Sequence, residues 1–203
     1  MSYLKNLTIL FVILLLSTPS NGHGPSRQKV SESIEINASS DEVWKIVSDF
    51  NNFNWNKSVE KISASSNDVG AERTIFFKSG ESIKQKLEKI DESKMMVNWR
   101  IIETDNKVLP VNSYSAKIFV KESDNKTKVI YKSGFYRGFM GNDPPSELND
   151  ENSKKKVKIF IVENLNGLKK KIEKNKIYSL FINYYLFQPP VPKRTSVYYK
   201  SRK

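Results

Sequence analysis

The sequence has no cysteine and only one histidine, His23. Without cysteine there can be no disulfide, no thiolate metal site, no thiol nucleophile and no lipidated cysteine anchor. A single histidine excludes multi-histidine metal centres and leaves a Ser/His/Asp triad only if His23 serves in it. His23 gives at most a partial metal site, so neither metal nor cofactor is expected. Acid is also scarce, with 22 Asp and Glu against 34 Lys and Arg, and the net charge is +12. The carboxylates are scattered and form no defensible acid/base pair. No catalytic residues are therefore assigned, and the chain is expected not to be an enzyme. Long apolar runs are lacking too: Leu7–Leu16 is about half the ~20 residues a spanning helix needs.

What is present suffices for a core. Hydrophobic residues at 38% and aromatics at 11% exclude wholesale disorder. A length of 203 residues allows one domain with extensions. Lys5, the apolar run and the small or turn-forming residues Ser17–Gly22 have the order of a secretory signal. The expectation is a signal peptide over residues 1–22, cleaved near Gly22, and a soluble monomer in a bacterial periplasm, where cysteine-free exported chains are at home. Removing that segment takes away Lys5 and leaves +11. Residues 175–203 hold six basic residues and no acid, so +5 remains for residues 23–174.

Period-two alternation through Val30, Ile34 and Ile36 predicts a half-buried strand. Ser39 and Glu42 have capping-box spacing, and Val43, Ile46, Val47 and Phe50 form the apolar face of a short helix. Strands are then expected at Val59–Ser65, Ala71–Phe77, Ile83–Ile90, Met95–Ile102, Val111–Val120 and Thr127–Tyr136, separated by turn signals such as Ser79-Gly80 and Asp124-Asn125. Asn142-Asp143-Pro144-Pro145 marks a loop. Acidic residues Glu147, Asp150 and Glu151 then open a helix that ends in Lys169-Lys170-Lys171. Its stripe is Val157, Phe160, Ile161, Leu165, Leu168 and Ile172. The class is α+β: a curved antiparallel sheet of six to seven strands wrapped on a long C-terminal helix.

This order resembles the helix-grip, START-like superfamily of polyketide cyclases and lipid-transfer proteins. Val43–Phe50, Phe53-Asn54-Trp55 and Leu109–Tyr114 are similar to signatures of its bacterial polyketide-cyclase-like branch. His23–Val30, and Phe135–Phe139 through Asn142–Pro145 to Glu147–Glu151, resemble stretches of MxaD-type periplasmic proteins of methanol oxidation. The resemblance implies a periplasmic accessory role between methanol dehydrogenase and its c-type cytochrome. It covers residues 23–174, and the chain departs from the pattern beyond Lys174.

Trp55, Trp99, Tyr114 and Phe135 fall on or near the predicted concave face, where they would line a pocket for a small apolar ligand or simply fill the core. A cyclase would need a buried polar pair in that cavity. Tyr136, Arg137, Phe139 and Asp143 lie on the long loop before the last helix and are the expected partner contacts, a lid over the barrel mouth being the alternative. The tail 175–203, expected to be flexible, joins basic residues to the apolar, aromatic run Ile177–Phe187. It suits an anionic membrane surface or an acidic protein. Nucleic acid is not expected for an exported chain.

Overall fold

In the computed structural model, which describes residues 24–186, the chain lays seven antiparallel strands before its long helix. They are β1 (Gln28–Ile36), β2 (Val59–Ala64), β3 (Glu72–Phe77), β4 (Ser82–Asp91), β5 (Met96–Thr104), β6 (Val111–Ser123) and β7 (Lys126–Arg137). Helix α1 (Ser40–Val47) follows β1, and helix α2 (Asp150–Leu186) follows β7. The sheet order is β1-β7-β6-β5-β4-β3-β2. Strands β2 to β7 thus form a meander, and β1 returns to pair with β7, Gln28 opposite Phe135 and Ile36 opposite Thr127. Residues 1–22 and the end of the tail lie outside the described residues, as does His23.

Local chemistry explains the joints. The capping box forms as its spacing predicts: Glu42 N–H donates to Ser39 Oγ (3.3 Å) and Ser39 N–H to Glu42 Oε2 (3.1 Å). At the β6–β7 hairpin, Asp124 and Asn125 take positive φ (41° and 64°), which suits the primed turn that joins two twisted strands.

Helix α2 lies on the concave face, with Val157, Phe160, Ile161, Leu165, Leu168 and Ile172 buried against the sheet. Residues 50–57 close one flank. There the Trp55 carbonyl sits where a Cβ at Gly167 would be, so only glycine permits this close approach. Asn56 Nδ2 donates to Asn164 Oδ1 (3.1 Å) and Asn164 Nδ2 to Phe160 O (2.7 Å), pinning the same loop to the helix through buried polar groups. The helix does not stop at Lys174, where the domain was expected to end, but continues to Leu186.

Candidate functional site

Alternation along two strands turns polar side chains into the core. On β3, Arg73 occupies an inward position with Ile75 and Phe77; on β4, Gln85 does so between Ile83 and Leu87. The register sets Arg73 opposite Gln85. Arg73 Nε donates to Gln85 Oε1 (2.8 Å) and Nη1 to the Phe50 carbonyl (2.9 Å). The guanidinium carbon lies 4.1 Å from the ring centroid of Phe50, 4.8 Å from that of Phe53 and 5.6 Å from that of Trp99. Cation–π attraction therefore replaces part of its lost hydration. Among the described residues no carboxylate forms an ion pair with it. Burial pushes its pKa down to about 9, opposed by the fields of Tyr131 and Asp49, so it remains charged at neutral pH.

The cluster continues across the sheet. The Trp99 and Tyr131 rings meet edge-on at 5.5 Å, and the Tyr131 and Tyr114 hydroxyls are 3.2 Å apart. Burial raises the Tyr114 pKa to about 12, countered in part by its hydroxyl interactions with Tyr131 and Ser133, and raises Tyr131 well above its ordinary value. Both hydroxyls therefore stay protonated over the ordinary pH range. Trp99, Ala116 and Ser133 face one another in register across β5, β6 and β7. Among the described residues two buried polar atoms here, Gln85 Nε2 and Trp99 Nε1, have no hydrogen-bond partner, and Ser133 Oγ has none beyond its interaction with the Tyr114 hydroxyl. Such groups cost about 1–3 kcal/mol each when left unmet. The set is rich in donors and contains no carboxylate. It matches a molecule with oxygen acceptors: carbonyl, phenol, enolate or carboxylate.

Of the residues predicted to line a pocket, the structure gathers three closely. Trp99, Tyr114 and Phe135 are each at most 2% exposed, and Tyr114 stacks on Phe135 at 6.0 Å. Trp55 stands at the other end, 5.0 Å from Phe53, and joins the cluster through Phe53 and Arg73. Arg73, Gln85, Tyr131 and Ser133 were not assigned to any site from the sequence. Their signal was a polar residue on an inward beat of an otherwise apolar alternation.

The expected partner residues divide. Phe139 and Asp143 are exposed and Tyr136 is half-buried beneath Arg27, whose guanidinium carbon is 5.6 Å from the ring. Arg137 instead turns inward. It pairs with Asp150 (3.0 Å) and donates to the carbonyls of Phe139 (2.8 Å) and Gly141 (2.6 Å), so it builds the loop and is not displayed by it.

The sequence model of the family described as polyketide cyclase / dehydrase and lipid transport matches residues 27–173, and the chain belongs to that family. The match does not reach the narrower MxaD-type grouping. No curated protein matches the chain. Among solved structures, the chain is similar to protein XoxI from Bacillus cereus (TM-score 0.60, 21% identity, 73% of this chain and 97% of that one). It is similar also to the Zhui aromatase/cyclase from Streptomyces sp. R1128 (0.59, 16%, 73% and 95%). Norcoclaurine synthase from Thalictrum flavum matches in the same way (0.56, 16%, 75% and 98%). These likenesses establish the helix-grip fold.

They also correct one expectation. The chain was expected not to be an enzyme, yet its family takes in cyclases and dehydrases, and its fold neighbours include a synthase and an aromatase/cyclase. The physical reason is that the expectation looked for paired carboxylates or histidine. This interior instead holds a buried hydroxyl pair and a guanidinium.

Proposed function

We propose that the protein binds a small, largely apolar molecule carrying oxygen acceptors inside the helix grip, between the sheet and α2. One observation carries this reading: among the described residues Arg73 is buried without a paired carboxylate, in a cluster where Gln85 Nε2 and Trp99 Nε1 have no hydrogen-bond partner. Arg73 takes an anionic or strongly polar oxygen of the ligand. The Tyr114–Tyr131 pair donates to a carbonyl or phenol oxygen and stabilises charge that develops there, as a cyclisation or dehydration through an enolate would need. Phe135, Trp99 and Trp55 supply apolar walls. The test is a titration with a hydroxyanthraquinone and, in parallel, with a saturated fatty alcohol. Binding of the first should shift the Trp99 indole N–H resonance, because that donor has no protein partner to lose. No shift with any oxygenated aromatic, or an equal response to the alcohol, contradicts the proposal.

A second reading has its own observation. The loop after β7 is braced by Arg137, yet it exposes Phe139 and Met140 and borders an open groove of about 920 Å³ between Asn106-Lys107 and Pro145–Leu148. A rigid loop with exposed apolar residues suits a protein partner. With the MxaD-type resemblance, the partners would be a methanol dehydrogenase and its c-type cytochrome in the periplasm. Purified protein should then speed transfer between the two at low salt and lose the effect as salt rises. An unchanged rate removes this reading.

A further inference from the structure

Beyond Lys174, helix α2 displays four large apolar side chains, Ile177, Tyr178, Phe181 and Ile182, each more than half exposed. Helical periodicity puts Gly167, Lys171, Lys174, Tyr178, Phe181 and Ile182 on one face. The Lys174 ammonium lies 5.5 Å from the Tyr178 ring, so charge and aromatic surface are in contact there. This is not the face that grips the sheet. Of the buried stripe, Val157, Ile161, Leu165, Leu168 and Ile172 lie about a third of a turn away, while Phe160, further up the exposed face, packs on Phe53.

The same face opens on a pocket of about 530 Å³ between α2 and residues 54–57. Trp55, Lys57, Lys170, Lys171 and Lys174 line it, and Glu163 is the one acid among its lining residues. A basic concavity therefore runs into an exposed apolar stripe along one helix. The sequence continues past the described residues with Lys193, Arg194, Lys200, Arg202 and Lys203 and no acid. No helix among the described residues is long and apolar enough to cross a membrane. Surface-lying helices have this composition, with aromatic and aliphatic residues at the headgroup boundary and lysines beside them.

We propose that this face of α2 docks on an anionic phospholipid surface. Tyr178, Phe181 and Ile182 enter the headgroup region, and Lys57, Lys170 and Lys174 meet lipid phosphates. An acidic protein would need charges matched to individual lysines. A uniform anionic plane needs only a surplus of one sign along the contact, and the pocket, helix and tail share that surplus. The inference does not depend on an interior ligand, and either can fail alone.

The cysteine-free sequence makes the test site-specific. An environment-sensitive fluorophore is placed at Ile182→Cys in the full chain and, as a control, at Val69→Cys on the β2–β3 turn. Both are mixed with phosphatidylcholine vesicles, with and without phosphatidylglycerol. The label at 182 should brighten and shift to the blue with the anionic vesicles only, and the label at 69 should not respond. Added salt should reverse the effect. Lys170→Glu with Lys174→Glu should weaken the apparent vesicle affinity about tenfold or more. An equal response to neutral vesicles, indifference to the charge reversal, or no response to vesicles overturns the proposal. So does a signal that grows with protein concentration alone, which would mean a second copy covers the face.

Discussion

Two buried arginines in this protein are treated in opposite ways. Arg137, at the end of β7, has a carboxylate and two loop carbonyls within 3.0 Å, and its charge is spent inside the structure. Arg73, on β3, has one amide oxygen, one carbonyl and aromatic faces, with no counter-ion among the described residues. A buried charge that has found its partners stabilises its surroundings; one that has not carries a desolvation cost that must be offset elsewhere. The first pattern marks a brace; the second is the one on which the proposed binding role of Arg73 rests.

The sharpest way to break this comparison is to remove each charge. Arg137→Met should cost about 2–4 kcal/mol in denaturant unfolding, since it takes the donor from two loop carbonyls and leaves the Asp150 carboxylate with Gln28 and solvent. Hydrogen exchange should show the loop 138–149 loosening with it. An effect below about 1 kcal/mol would mean that Arg137 is no brace.

The next effect concerns the tyrosines beside Arg73. Tyr114 has an ordinary pKa of 10.0 in the unfolded chain and about 12 in the fold, because burial disfavours the phenolate. Its contribution is complete below pH 10 and is lost as the pH rises through about 12, since only the unfolded chain ionises in that window. Tyr114→Phe should therefore lose less stability than the wild type between those pH values, and removing Tyr114 also relieves part of the upward shift of Tyr131. The Arg73 shift has the opposite sign, with the unfolded chain holding the proton longer, but it is common to both proteins and drops out of the difference.

The smallest stability effect should come from Arg73→Met. Relief of the buried charge offsets two lost hydrogen bonds, and the change at neutral pH should stay within about 1 kcal/mol of zero. A loss as large as that of Arg137→Met would make both arginines braces and erase the distinction.

The sequence made the strand alternation, the Ser39–Glu42 cap, the Asp124-Asn125 turn and the buried stripe of α2 legible, because each depends on near neighbours and a fixed period. The pairing of β1 with β7 was not, since a closing strand has no local signature. Trp99, Tyr114 and Phe135 were readable as inward aromatics. Arg73 and Gln85 were passed over although they share the apolar beat with Ile75 and Phe77 and with Ile83 and Leu87, because only aromatic side chains on that beat pointed to a site. Arg137 was read as displayed because its partner Asp150 starts the next helix, and only the folded loop brings them together.

The central claim is that Arg73 is kept for a ligand. Native mass spectrometry of protein purified without denaturation, wild type against Arg73→Met, addresses it most directly. The account predicts a small oxygenated molecule retained by the wild type and lost from the variant, with both equally folded. An empty interior in both proteins, or the same molecule held equally by both, would contradict it.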